Sequence, residues 1–425
     1  MTEGSAGPAI TRGQVLGVTL GNALEFYDFL VFSFFAVQIG QCFFPATNPQ
    51  SSLLLALATF GAGFLTRPIG AFVIGGLGDR IGRRPMMLLS FAMIGLSTLG
   101  VALTPSYATI GLAAPILVIV CRLVQGFALG GEVGTSTAFL AEAAPAAKRG
   151  RYIALQFVGQ SAATLTAGAV GVLLAAAMDD AALASWGWRI AMGLGAATVP
   201  VGLMLRRTLP ETLHPDVSVT SRPPVRSYAG IAIFAFVFIL SGTISTYVLN
   251  YMTTFAKATL GMASGVALGA TMAVGLGSLI GSAAAGVLSD RDGRRPWMIW
   301  PMLGLTIAVM PAFWLLIAHR TAPMLYAISF SLGTVRSMGA TTAFITITES
   351  LPMRVRSGAL SVVYALAVSI FGGSTQFVIA WLTGVTGNPL APAWYMFGAA
   401  SLGLGAMWFA EESAPAKLQP RPMPA

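Results

Sequence analysis

Twelve long apolar stretches, at about 13–44, 52–76, 85–104, 110–142, 152–178, 187–206, 228–256, 265–288, 296–318, 323–349, 357–384 and 391–410, take up most of this 425-residue chain. Crossing the hydrocarbon core of a bilayer takes about 20 apolar residues in a helix. Lipid offers no hydrogen bonds, so a crossing segment must satisfy its own backbone, and a helix does so. Charged residues are 9% of the chain, against about 25% in soluble domains. The expected fold is therefore an all-α membrane protein with twelve transmembrane helices. The first stretch is longer than a signal-peptide core and has no small-residue cleavage site, so it is expected to stay in the mature chain.

The net charge of +9 has a topological origin. With the N-terminus placed in the cytoplasm, the inner connections hold eighteen basic residues, from Arg12 through Arg80, Arg83, Arg149, Arg206, Arg291, Arg294 and Arg354 to Arg421. The outer loops hold two, Lys257 and Arg320. This positive-inside bias predicts both termini in the cytoplasm. No short stretch alternates aromatic and basic residues, so the basic character is not a nucleic-acid footprint, and the lipid bilayer is the expected surrounding.

The chain reads as two halves, 1–206 and 228–425, joined by a polar, proline-containing linker at 207–227. Each half repeats one loop after its second helix. The first copy holds Gly75, Asp79, Arg80, Gly82 and Arg83; the second, 211 residues on, holds Gly286, Asp290, Arg291, Gly293 and Arg294. A second echo, 207 residues apart, pairs Glu142 and Pro145 with Glu349 and Pro352 after the fourth helix of each half. Two echoes at nearly one spacing point to an internal duplication, an architecture that transporters place around a midplane site. Glycine permits the sharp turn between two helices that nearly touch. An aspartate there accepts hydrogen bonds from a helix N-terminus or an arginine across the bundle interface, a contact made in one gating state and broken in the other.

The paired G-x-L-x-D-R-x-G-R-R loops, the run Arg122-Leu-Val-Gln125-Gly126 and the twelve-helix plan resemble the major facilitator superfamily, with two pseudo-symmetric six-helix bundles. Gly21-Asn22-Ala-Leu-Glu25-Phe-Tyr-Asp28 and Gly63-Phe-Leu-Thr-Arg67-Pro68-Ile-Gly70 are similar to the metabolite:proton symporters within it. Gln156 and Gln160, Ser185-Trp-Gly-Trp-Arg189 and Ser369-Ile-Phe-Gly-Gly373 extend the likeness to the citrate–proton symporter branch. The resemblance implies alternating access, a bacterial inner-membrane location and import of a metabolite with protons. Osmolyte symporters of that family often end in a coiled-coil extension; the short proline-containing tail here counts mildly against that branch.

Six ionisable residues lie well inside the spans: Glu25, Asp28, Arg67, Arg122, Glu132 and Arg336. Each would cost about 2.5–3.5 kcal/mol if it faced lipid at mid-bilayer, so all must point inward. Three acids and three bases also suit a static salt-bridge lattice, and that reading stays open. Against it stands their depth. Glu132 and Arg336 lie roughly 15 and 20 Å from the ends of their helices, where a substrate site would be. Arg122 and Arg336, in corresponding helices of the two halves, suit a clamp on a carboxylate ligand, since guanidinium forks match carboxylates bidentately. Arg67, Gln125, Gln156, Gln160, Asn250 and Tyr251 are further substrate-binding candidates, though ordinary interhelical hydrogen bonding accounts for the polar ones equally well. A coupling site needs a carboxylate whose proton affinity changes between states. Asp28 and Glu132 are the candidates; Glu25 is a third, or a brace for its helix.

Cys42 and Cys121 fall inside apolar stretches and read as packing residues, with neither a disulfide nor a metal site expected. His214 and His319 lie in loops on opposite sides, so no Ser–His or Cys–His grouping supports an enzyme, and no soluble domain supports a receptor. The expectation is a monomeric, cofactor-free symporter that imports a small organic anion, a tri- or dicarboxylate such as citrate or tricarballylate, with protons. The alternative is a proton symporter of an osmolyte, a 2-oxo acid or an aromatic acid; a drug antiporter on the same fold is a third reading.

Overall fold

The structure, a computed structural model, describes residues 12–81, 83–130, 136–137, 139–141, 143–207, 229–351 and 353–418. Among these residues the chain forms twelve helical spans, one for each apolar stretch. In the first half, α1 is Arg12–Phe34 with a continuation Ala36–Phe43, and α2 is Pro49–Leu65 followed by Arg67–Ile81. Next come α3 (Arg83–Leu103), α4 (Tyr107–Ile110 and Ala113–Leu129), α5 (Arg149–Ala177) and α6 (Trp188–Arg207, entered through a π turn at Leu183–Gly187). In the second half, α7 is Ala229–Asn250 with a short continuation to Thr259, α8 Ser264–Asp292, α9 Arg294–Ala318 and α10 Ala322–Ser350. Last come α11 (Met353–Ala367, a π turn Val368–Gly372, then Gly373–Thr386) and α12 (Ala391–Trp408). The linker expected at 207–227 lies, except for Arg207, outside the described residues.

The break in α2 has a local cause. Pro68 has no N–H to give and crowds the preceding turn, so the helix interrupts at Thr66, just before Arg67-Pro68. Seven of the described spans are long and apolar enough to cross a bilayer by themselves. α10 is not among those seven despite its 29 residues. It carries Arg336 and a series of serines and threonines, and most of its side chains between Leu325 and Thr348 are buried. A helix screened by its neighbours can be polar where lipid never meets it.

Within the first half α1 packs on α5 and α6, α2 on α4, and α3 on α4 and α6. Within the second, α7 packs on α10 and α12, α8 on α10, and α9 on α10 and α12. Across the interface α5 meets α8, and α2 meets α11. Several of these pairs touch backbone to backbone. A Cβ on Gly126 of α4 would stand 1.5 Å from the carbonyl oxygen of Gly63 on α2. A Cβ on Gly168 of α5 would stand 2.4 Å from the amide nitrogen of Met272 on α8, and one on Gly275 would stand 2.3 Å from that of Leu165. Small residues replace the hydrophobic effect as the source of helix association in lipid.

Gly126→Ala therefore forces α2 and α4 apart. It is expected to lower stability by roughly 1–3 kcal/mol, the usual cost of overpacking. Thermal unfolding of the detergent-solubilised protein measures this, and an unchanged transition would show the contact is looser than described.

Candidate functional site

Between the halves lies a small, partly open cavity of about 60 Å³, well below the roughly 300–1,000 Å³ of small-molecule sites. α1 contributes Phe26 and Leu30, and α5 contributes Phe157, Gln160, Ser161 and Thr164. α7 supplies Thr246, Tyr247, Leu249 and Asn250, α8 Val274 and Ser278, and α10 Arg336. Ser278 and Arg336 each stand at the centre of a 29-residue helix, which fixes the depth of the cavity at mid-span.

Arg336 donates from Nη1 to Thr246 Oγ1 at 2.6 Å and from Nη2 to Ser278 Oγ at 3.4 Å, while its Nε has no acceptor. Behind it, hydroxyls link α8 to α10. Ser337 Oγ donates to the Ser278 carbonyl at 2.6 Å, Ser282 and Ser337 are 2.8 Å apart, and Thr341 donates to Ser282 at 3.1 Å. Neutral hydroxyls orient the guanidinium without cancelling its charge.

Arg122 lies elsewhere. It donates to Gln125 Oε1, and Gln125 donates on to Thr98 Oγ1 at 3.0 Å. Its guanidinium lies over the rings of Phe32, Phe29 and Phe60, at 4.5, 4.7 and 5.1 Å from their centres. Arg67 lies over Phe64 and the same Phe29, at 4.2 and 4.5 Å. So Arg122 and Arg336 do not meet at one cavity here, because Gln125 and an aromatic nest hold Arg122 on the far side of Tyr247. Among the described residues no ion pair joins Arg67, Arg122 or Arg336 to a carboxylate; the ion pairs lie at the end carrying the basic loops. Among the described residues, the three mid-span arginines therefore form no ion pair of a static salt-bridge lattice.

Asp28 is buried on α1, its Oδ1 without a partner and directed at Gly195 of α6, where a Cβ would come within 1.9 Å of it. Glu25, three residues earlier, is also buried. Gln156 is engaged within the first half: it donates to Asn22 Oδ1 at 3.1 Å and accepts from Ser136 at 3.2 Å, while Asn22 donates to its carbonyl at 3.0 Å. Gln160 and Asn250 line the cavity; Tyr251 is buried beside it without lining it. Glu132 and Gly82 lie outside the described residues, as do the side chains of Asp79, Arg80 and Arg83 and all but the backbone of Gly75.

The second gating loop is described in full. Asp290, at the end of α8, accepts from the backbone N–H of Gly150 at 2.9 Å and of Arg151 at 3.0 Å, the start of α5 in the other half. A carboxylate on a helix N-terminus is the favourable polarity. Arg294 then bridges Asp290 at 2.8 Å and Glu349 at 3.1 Å, with all three side chains buried. Gly293 turns the loop at φ +103°, and exposed Arg291 reaches Asp292 at 3.5 Å. Sequence reading did not foresee the tail. Glu412 accepts from the N–H groups of Arg294 and Arg295, and Ser413 donates to Glu349 at 2.9 Å. Burial raises the Glu412 carboxyl, but the N–H groups of Arg294, Ala414 and Arg295 and the Arg294 charge outweigh it and hold the carboxyl below its usual range. Thr246, Tyr247 and Ser278 were missed too; the serines at i, i+4 on α8 facing those beside Arg336 were the available signal.

The family profile described as Major Facilitator Superfamily matches residues 18–374. The chain belongs to the major facilitator superfamily. A citrate–proton symporter of Salmonella typhi is 37% identical over 93% of both chains. The alpha-ketoglutarate permease of Escherichia coli K12 is 34% identical over 90% of this chain and 89% of its own, and the proline/betaine transporter of that strain is 30% identical over 92% and 82%. In fold, the chain superposes on the Escherichia coli xylose transporter XylE in its partially occluded inward-open form with a TM-score of 0.77, at 20% identity, over 94% of this chain and 98% of that one. This superfamily member is a multi-pass membrane transporter, not an enzyme, with the twelve-helix fold of its relatives.

Arg294→Gln leaves two buried carboxylates without their cation and is expected to cost about 3–5 kcal/mol, with partial recovery in the Arg294→Gln, Glu349→Gln double variant. Melting of both proteins in detergent tests it, and equal melting of Arg294→Gln and the unaltered chain would remove the bridge from any structural role. The lowered Glu412 carboxyl lends stability that is complete above its ordinary range and is lost as pH falls through the lowered value. Hydrogen exchange at the Arg294 and Arg295 amides, corrected for intrinsic rate, should accelerate on acidification, and Glu412→Gln should accelerate it at neutral pH.

Proposed function

We propose that this protein imports a tri- or dicarboxylate, citrate or a close relative, together with protons, by alternating access. The observation that carries the reading is Arg336, a cation at mid-span beside a cavity whose other polar lining is neutral. A guanidinium with hydroxyl and amide neighbours but no carboxylate is a receptor for an anion. Gln160 and Asn250 add hydrogen bonds from either half. Arg122 and Arg67, with Gln125 positioning the first, are the further substrate-binding cations, and Gln156 and Tyr251 support the cavity walls. The names of the citrate–proton symporter and alpha-ketoglutarate permease relatives support the same substrate class.

In this reading Asp28 carries the proton, with Glu132 and Glu25 as the remaining carriers. A carboxyl group changes its proton affinity as charge and water approach it, so loading and unloading follow that approach. The two halves, 1–206 and 228–425, rock about the site on the linker at 207–227. The basic loops face the cytoplasm with both termini, in the inner membrane, and one chain suffices. Asp290 on the start of α5, and Asp79 in the matching loop, close the cytoplasmic end and release it when the halves rock.

A second reading has its own support: Phe26, Phe157 and Tyr247 line the cavity, and aromatic faces bind quaternary ammonium groups. A proline/betaine transporter is among the relatives. Uptake of labelled citrate, tricarballylate, succinate, proline and betaine into proteoliposomes, with and without an inward proton gradient, separates the two. Gradient-driven citrate or succinate uptake is expected, and uptake of proline or betaine alone overturns the carboxylate reading. Arg336→Ala should lose about tenfold or more in carboxylate affinity, the worth of one charge-assisted contact. Asp28→Asn should keep exchange and lose accumulation; unchanged accumulation would move the proton site elsewhere.

A further inference from the structure

Arg67 and Arg122 form a second basic group that the Arg336 cavity does not reach. Both are more than nine-tenths buried, at 6% and 1% exposure. Both guanidiniums lie over the Phe29 ring, 4.5 and 4.7 Å from its centre. Arg122 gives one N–H to Gln125, yet its Nε and Nη2 have no acceptor, and neither has Nε of Arg67. Ring faces offset part of the cost, by about 0.5–2 kcal/mol per contact. They accept no hydrogen bond of full strength, and they do nothing about two like charges held over one ring. Free donors on two buried cations mark a place built to meet an anion.

Tyr247 is the wall between this nest and the cavity. One side of it lines the cavity with Arg336. Its ring also packs on Phe60 and Phe64 at 6.0 and 5.6 Å between centres, and these rings carry Arg122 and Arg67. On a third side it lies against Gly372, where a Cβ would come within 3.0 Å of Cε2. Gly372 ends the π turn of α11, and π turns inside helices mark places where the backbone register shifts at functional sites. The next residue, Gly373, is in backbone contact with Gly61 of α2. Tyr247 therefore touches α11, which packs on α2 across the interface, and its ring lies against both the cavity and the rings of the nest.

We propose that Arg67 and Arg122 form a second carboxylate subsite, reached past Tyr247, and that a ligand is carried only when it fills this subsite and Arg336 together. The inference rests on the carboxylate reading above. Arg336 belongs to the second half and the other two arginines to the first, so a ligand with carboxylates at both ends ties the halves to each other. A ligand with one carboxylate occupies Arg336, leaves the nest unmet and gives the halves no reason to close. Such a monoacid is a competitor, not a cargo.

The test uses the full chain in proteoliposomes and in detergent, with citrate, succinate and propionate as probes. For the unaltered protein, propionate is expected to displace citrate but to exchange across the membrane at about a tenth of its rate or less. Arg67→Gln and Arg122→Gln are expected to weaken citrate by about tenfold while propionate stays within about twofold, and the retained propionate binding reports that the variants are folded. Arg336→Gln weakens both. Tyr247→Trp, which thickens the wall, slows citrate exchange. Propionate exchanging as fast as citrate overturns the inference, as do glutamine variants at 67 and 122 that weaken both ligands alike or neither. In those cases binding lost in Arg336→Gln leaves the carboxylate reading standing; if no carboxylate binds the unaltered protein, both fall.

Discussion

A guanidinium cannot be left facing hydrocarbon, and this chain buries three of them near mid-span without a carboxylate partner among its described residues. The rest of the architecture accommodates that fact. Rings of Phe29, Phe32, Phe60 and Phe64 face Arg67 and Arg122, hydroxyls of Thr246 and Ser278 hold Arg336, and glycines at positions 63 and 126 bring α2 and α4 close enough to share the first pair. Each device steadies a positive charge and leaves it positive. A protein needing rigidity alone would pair these cations with acids, since a buried charge is cheapest when neutralised.

Among the described residues the ion pairs lie at the basic end instead. There Asp290, Arg294 and Glu349 form one buried group, and Asp290 reaches across to the start of α5. Hydrogen bonds also cross the interface at the other end. Ser264 donates to Asp180 at 2.9 Å, and Gln50 donates to the Ala380 carbonyl at 2.8 Å. Between the two ends runs the glycine-lined contact of α5 with α8. A helix pair held by backbone contact along its length and by polar groups at its tips can open at one tip while staying closed at the other, which is the motion alternating access requires. The tail adds a brace to the second copy, where Glu412 accepts from the Arg294 and Arg295 N–H groups and Ser413 donates to Glu349.

The superfamily fold hosts xylose transport in one relative and citrate, 2-oxoglutarate or proline in others by name. A shared fold does not fix the cargo; the side chains of the site do. Here the cavity lining joins one cation and neutral hydrogen-bonding groups, on which the carboxylate reading rests, with three aromatic rings, on which the osmolyte reading rests.

The number of spans, the paired loops and the family were legible in the amino-acid order, because apolar length, glycine and aspartate at fixed offsets and internal repetition are local properties of a chain. That Asp28, Arg67, Arg122 and Arg336 had to face inward was equally legible, since the cost of charge in lipid depends on depth along a helix and depth is read by counting. Which of them share a chamber was not. Two residues on different helices meet according to helix rotation, crossing angle and the ring that fills the space between, and none of these has a signature in one dimension. So the sequence alone determined that cations would sit at the centre of this membrane protein. Tertiary packing decided that Arg336 opens onto a cavity, that Gln156 is spent on Asn22, and that Tyr247 stands between the basic groups of the two halves.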